Sequence, residues 1–193
     1  LKAGADKVRR TCQIIRAMRQ LLLMRHAKSS WDDPHLPDHA RPLNARGRRA
    51  ASAMAAAMTG LGLAPDVVLV SSARRTLQTL EALGPWDEQP LIEPMDLLYL
   101  ADAERLAGVL AGVAQTARSV LLLGHNPGLH ELALLLAEAA APPQHTGDLA
   151  RLRRAFPTAS LVEFTIPGPW SLLREGSRLI RFLTPADLPE MAA

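Results

Sequence analysis

Three short apolar runs constrain the fold of this chain most: Leu21-Leu22-Leu23-Met24, Val67-Val68-Leu69-Val70, and the stretch from Ser119 to Leu123. None has helical periodicity or polar alternation, so each reads as a strand buried on both faces. Helix-compatible stretches separate them. Residues 46–58 are Ala-rich and end near Gly60, and residues 73–83 stop at Gly84-Pro85. Residues 102–114 place Leu106, Val109, Leu110 and Val113 on one face. Further helices are expected at 127–140 and 148–156, and a short strand at Leu91-Ile92. Residues 160–166 and 178–183 alternate as strands, with turns at Pro167-Gly168-Pro169 and Glu175-Gly176. Strands alternating with helices predict an α/β domain with a largely parallel sheet.

The strand ends carry the chemistry. The first run ends in Arg25-His26, the second in Ser71-Ser72-Ala73-Arg74-Arg75, and the third in Gly124-His125. In a parallel sheet these ends share one edge, where ligands of open α/β folds bind. Two histidines and two or three arginines then converge. Helix N-termini after Ser72 and after Asn126 add backbone N–H groups, with Asn126 expected as N-cap and Pro127 in the first turn. Guanidinium groups match phosphate oxygens in geometry and charge. The expected site is a dianion pocket with a histidine inside it. The long polar loop at 29–46 is of a length that is usually functional.

Composition excludes other classes. With a single cysteine, Cys12, neither an internal disulfide nor a Cys-rich metal site is available, which fits a reducing, cytoplasmic setting. The pI near 9.6 points misleadingly to nucleic acid. Residues 1–17 hold five cations (Lys2, Lys7, Arg9, Arg10, Arg16) against Asp6, a net of +4, whereas the whole chain carries +3. Residues 18–193 therefore sum to −1, and aromatic residues are few, so no nucleic-acid partner is expected. No apolar stretch is long enough to span a bilayer. Residues 1–17 are expected to be a leader, flexible or non-native, with Met18 opening a single domain over 18–193. In the leader, Val8, Cys12 and Ile15 also permit a basic amphipathic helix.

Taken in order, these blocks resemble the histidine phosphatase (phosphoglycerate-mutase-like) superfamily. Leu22 to Ala27 resembles its Arg-His signature, Ser71 to Thr79 its second-arginine motif, and Gly124-His125-Asn126-Pro127 its second-histidine motif. Arg25 to Trp31, Asp38 to Gly47 and Phe156 to Ser160 are similar to the SixA-type phosphohistidine phosphatases. The likeness spans residues 20–183. It implies a three-layer α/β/α sandwich with a mostly parallel central sheet. It also implies a metal-independent, cofactor-free phosphatase with His26 as nucleophile and a covalent phosphohistidine intermediate. Arg25 and Arg75 would clamp the phosphoryl oxygens, Arg75 being preferred over Arg74 because it precedes Thr76-Leu77-Gln78-Thr79. His125 would donate a hydrogen bond to the phosphate. Arg41 would add a further contact, and Ser29 and Asn126 would lie at the substrate. The implied partner is a phosphorylated protein of the phosphotransfer type. A small phosphate monoester, or a phospho-binding module without turnover, is the alternative.

Physical chemistry agrees with those roles. A nucleophilic histidine must be neutral, and adjacent guanidinium groups disfavour imidazolium. Phosphoryl transfer needs mainly positioning and charge stabilisation. The resemblance leaves the general acid open: the acid-phosphatase branch has an aspartate after the second histidine, where Asn126 stands here, and no motif selects Glu93 or Asp96 as the glutamate of the mutase branch. Asp32 is expected to turn away from the phosphate. His35, His39, His130 and His145 read as solvated or packing residues, with His39 near enough to Arg41 to approach the pocket.

Overall fold

Residues Leu21 and Leu23 pack into one hydrophobic layer, and Leu22 and Met24 into another. A strand alternates its side chains, so an unbroken apolar run requires cover on both faces. This computed structural model describes residues 18–139 and 146–191. Six strands form one sheet: β1 (Arg19–Arg25), β2 (Val67–Ser71), β3 (Leu91–Met95), β4 (Ser119–Gly124), β5 (Leu161–Ile166) and β6 (Arg178–Leu183). Their order is β3-β2-β4-β1-β5-β6. The first four in that order run parallel, while β5 is antiparallel to β1 and β6 to β5.

Helices cover both faces. On one side, α1 (Ala45–Gly60) and α2 (Arg74–Leu83) contribute Met54, Met58, Leu80 and Leu83 over Leu22, Val68, Val70, Leu121 and Leu123. On the other lie α3 (Ala103–Ala111), α4 (Gly128–Glu138) and α5 (Thr146–Arg154). Their Leu106, Leu110, Leu132, Leu136 and Leu152 pack with Leu21, Leu23, Leu122, Phe164 and Trp170. The result is the three-layer α/β/α sandwich. Two glycines allow its closest approaches. A Cβ on Gly47 would lie 2.1 Å from the Lys28 carbonyl oxygen, and one on Gly128 2.0 Å from that of Ala101.

Several boundaries differ from expectation. Asn126 does not cap α4. Pro127 occupies the N-cap position, and the Asn126 amide instead donates to the Phe156 carbonyl at 3.1 Å. This tertiary acceptor outcompetes local capping, a choice that sequence spacing does not encode. The strand predicted at Leu91-Ile92 continues to Met95 through its pairing with β2. The loop after β1 holds a short 3-10 turn, Asp38–Ala40, and a bridge between Ser29 and Leu43. The leader with Val8, Cys12 and Ile15, and also His145, lie outside the described residues. Among the described residues, no helix is long and apolar enough to cross a membrane.

Candidate active site

Strand register assembles the site. In the sheet, β4 lies between β1 and β2, with Leu123 beside both Met24 and Val70 and with Gly124 beside Arg25. His26, Ser71 and His125 therefore leave the sheet at one edge, and α2 starts there with Arg74 and Arg75. Both α2 and α4 begin without a side-chain cap.

Arg75 is the hinge of the cluster. Its side chain is buried, while Arg74 is exposed. The Arg75 Nε donates to His26 Nε2 at 3.3 Å, and one terminal nitrogen donates to His125 Nδ1 at 3.3 Å. The two imidazoles lie 5.0 Å apart between centroids. His26 is 8% exposed and His125 3%, so neither ring is freely solvated.

The partners determine the tautomers. His26 Nδ1 lies 2.7 Å from the Ala27 carbonyl oxygen. A carbonyl only accepts, so Nδ1 carries the proton and Nε2 the lone pair. His125 Nε2 sits 2.8 Å from Ser71 Oγ. A hydroxyl both donates and accepts, so the Arg75 donor decides: His125 Nδ1 accepts from it, and the ring proton sits on Nε2, donated to Ser71 Oγ. Burial lowers the His26 pKa to about 4, assisted by Arg75 and Arg25 and opposed by the Ala27 carbonyl. His125 is lowered to about 3 by burial, then by His26 and Arg75. Both rings are neutral near neutral pH.

Arg25 sends a terminal nitrogen to the Phe156 carbonyl at 2.8 Å, the same oxygen that holds Asn126. Arg25 Nε and Asn126 Oδ1 are buried and have no hydrogen-bond partner. Burial and the neighbouring Arg75 lower the Arg25 pKa.

Asp38 and Tyr99 complete the cluster, and sequence reasoning did not select either. Asp38 accepts from Arg75 at 2.9 Å and from Arg41 at 3.0 Å, and Tyr99 Oη donates to it at 2.7 Å. These hydrogen bonds, the Tyr99 one foremost, lower the Asp38 pKa to about 2. Burial and Asp38 raise that of Tyr99. The Tyr99 ring meets His125 edge-on at 5.4 Å and His39 at 4.9 Å. Exposed His39 also lies 3.0 Å from Ser72 Oγ, so it belongs to the pocket rim. Asp38 opens the Asp38-His39-Ala40-Arg41-Pro42-Leu43 block, which was the available signal. Nothing local singles out Tyr99.

Other expected residues stand one step back. Among the described residues, no hydrogen bond joins Arg41 to either histidine. Its guanidinium donates to the Ser30 carbonyl, Asp38 and Ser29 Oγ, and it lies 3.0 Å from the Trp31 ring centroid. The Ser29 hydroxyl is thus turned to Arg41. Glu93 is exposed on edge strand β3 and Asp96 is exposed after it, and neither carboxylate contacts the cluster. Asp32 is also exposed. Among the described residues, no three His, Cys, Asp or Glu side chains gather as a metal-ligand group.

The chain also matches known proteins. Residues 21–98 match the profile of the histidine phosphatase superfamily (branch 1). An uncharacterised protein of Mycobacterium tuberculosis is 31% identical over 171 residues, covering 84% of this chain and 99% of that protein. The structure of a candidate phosphohistidine phosphatase SixA from Nakamurella multipartitia superposes with a TM-score of 0.77 at 32% identity, covering 87% of this chain and 96% of that one. Its counterpart from Agrobacterium tumefaciens gives 0.71 at 31% identity, covering 86% and 98%.

Proposed function

The chain belongs to the histidine phosphatase superfamily and is a phosphatase; on that premise we propose that it dephosphorylates phosphohistidine in proteins through a covalent intermediate on His26. One observation carries this reading: the Ala27 carbonyl locks the His26 proton on Nδ1, leaving the Nε2 lone pair facing Arg75. A nucleophile needs that lone pair in the resting state, and depression of its pKa to about 4 keeps it available.

The reaction proceeds in two displacements. His26 Nε2 attacks phosphorus, forming a P–N bond while the substrate's P–N bond breaks and its imidazole departs neutral, keeping the proton already on its other ring nitrogen. The positive charge that develops on the His26 ring is met by the Ala27 carbonyl at Nδ1–H. Water then attacks the phosphorus, the P–Nε2 bond breaks, and inorganic phosphate leaves. Arg75 Nε moves from His26 Nε2 to a phosphoryl oxygen, and the unpaired Arg25 Nε takes another. When the Arg75 terminal nitrogen also turns to the phosphoryl group it frees His125 Nδ1; the ring proton then passes from Nε2 to Nδ1 through solvent, the Ser71 hydroxyl donates to Nε2, and Nδ1–H faces the phosphoryl group. Asp38 holds Arg75 and Arg41 in register from behind, while Arg41, Ser29 and Asn126 support the pocket wall.

The acid–base inventory favours a phosphoramidate. With its pKa near 2, Asp38 is ionised at neutral pH and has no proton to give. Tyr99 commits its proton to Asp38. An alkoxide leaving group requires a general acid, whereas imidazole leaves more readily. The test is a rapid acid-free quench with 32P-labelled phosphohistidine peptide. Label is expected on His26, and none in His26→Ala. Label on His125 with His26 unmodified would reverse the assignment.

A further inference from the structure

A cavity of about 270 Å3 lies behind the His26 segment, between the first turn of α1, the 157–158 segment and the chain near Thr184. Its polar rim is Lys28, Arg46 and Thr158, and Ala50, Pro185 and Met191 supply apolar wall. We propose that this cavity is a second anion subsite, which holds a carboxylate or phosphate of the substrate other than the phosphoryl group being transferred.

The charge balance of the cavity is the first argument. Among the described residues, neither Lys28 nor Arg46 has a hydrogen-bond or ion-pair partner for its side chain. Both are exposed, as are the equally unpartnered Arg49, Arg74, Arg105, Arg154 and Arg178; what sets Lys28 and Arg46 apart is that they line one cavity. No carboxylate lines the cavity. The nearby Asp187 is engaged by Arg151 and by the Thr184 backbone and hydroxyl. Two unneutralised, exposed cations over partly apolar walls that hold no carboxylate attract an anion.

The second argument is construction. The two cations are brought together by backbone, not by chance side-chain placement. The Asn44 N–H donates to the Lys28 carbonyl at 3.0 Å, and Gly47 packs so closely on the same carbonyl that a Cβ would lie 2.1 Å away. Asn44 Oδ1 in turn accepts from the Gly47 N–H at 2.7 Å, holding the first turn of α1 against residue 28. Arg46 lies inside that turn.

The third argument is placement beside the reaction. Lys28 follows His26 by two residues. Pro157 and Thr158 connect Phe156, whose carbonyl holds Arg25, to Ala159, whose N–H donates to the Arg25 and His26 carbonyls at 3.1 Å. One segment therefore walls both the reacting histidine and the cavity. A substrate that carries an acidic group near its phosphohistidine engages both sites. A minimal phosphoramidate engages only the first.

The subsite rests on the phosphatase reading for its role in substrate choice, but its binding is measurable without turnover. The His26→Ala protein, titrated with inorganic phosphate and separately with an unphosphorylated Glu-containing peptide, is followed by amide NMR. Shifts at Arg46, Gly47 and Thr158 are expected with at least one probe and are lost in Lys28→Gln/Arg46→Gln. Response to the peptide identifies a carboxylate, and response to phosphate alone identifies a phosphoryl group. If these amides respond to neither probe, the subsite does not exist. If they respond in a protein whose wild type hydrolyses no phosphoramidate, the subsite stands and the catalytic reading falls. In turnover, the double variant is expected to lower by about tenfold the kcat/KM of an acidic phosphohistidine peptide relative to phosphoramidate. High salt should erase that difference. An unchanged ratio would overturn the role in substrate choice.

Discussion

Lowering the pH from 8 to 5 should destabilise this protein through its two buried histidines before any carboxylate titrates appreciably. The folded pKa values lie at about 4 for His26 and about 3 for His125. In the unfolded chain both return to an ordinary value of about 6.5. Between those limits the unfolded state binds more protons, so stability rises with pH. The contribution is complete above pH 6.5 and is lost as pH falls toward 4. At pH 5 an unfolded histidine is almost fully protonated and a folded one mostly neutral, which costs about 2 kcal/mol per ring. The pair together loses about 4 kcal/mol, a large part of the stability of an ordinary domain. The His125 share depends on His26, which lowers its pKa after burial. The depressed Asp38 acts in a separate window, below its ordinary value of about 4 and toward 2. Urea denaturation at pH 8, 7, 6 and 5 measures the effect, with His26→Gln/His125→Gln as reference. The wild type should lose stability more steeply over that range. Equal slopes for the two proteins would refute the claim that burial and Arg75 hold both rings neutral.

Activity should persist on the acid side, with no fall at the ordinary histidine pKa of about 6.5, because His26 remains neutral to about pH 4; an inflection at the ordinary value in single-turnover labelling would contradict this. Asp38→Asn should lower kcat/KM by about 10- to 100-fold with unchanged circular dichroism, since Arg75 and Arg41 lose their common anchor; an effect within twofold would remove Asp38 from the positioning role. Glu93→Gln and Asp96→Asn should leave phosphoramidate hydrolysis nearly unchanged, whereas alkyl phosphates should react about 10²–10⁴-fold more slowly than aryl phosphates. A hundredfold loss in either variant would identify a general acid. Deleting residues 1–17 should preserve cooperative unfolding and activity, because the sheet and the site among the described residues draw on positions from Arg19 onward; loss of either would make that segment part of the domain.

Local chemistry sufficed for much of this protein. An uninterrupted run such as Leu21 to Met24 has one stable use, a strand covered on both faces, so the layers were legible before any contact was known. The strand ends carried Arg25, His26, Arg75 and His125 to one edge for the same reason: parallel strands point their carboxyl ends the same way. What the chain alone left open were choices between competing partners distant in sequence. Asn126 is a good local cap, yet it bonds to the Phe156 carbonyl thirty residues away. Arg41 has the charge for a phosphate contact, but Ser29, Ser30 and Asp38 take its donors. Tyr99 has no neighbour in sequence that marks it, and only the crossover after β3 brings it against His125 and Asp38. The tautomers of the two histidines were likewise undecided until their second partners were known. The Ala27 carbonyl puts the His26 proton on Nδ1, and the Arg75 donor puts that of His125 on Nε2. Hydrophobic periodicity acts over a few residues and is written along the chain, whereas hydrogen-bond partnership is settled by three-dimensional proximity.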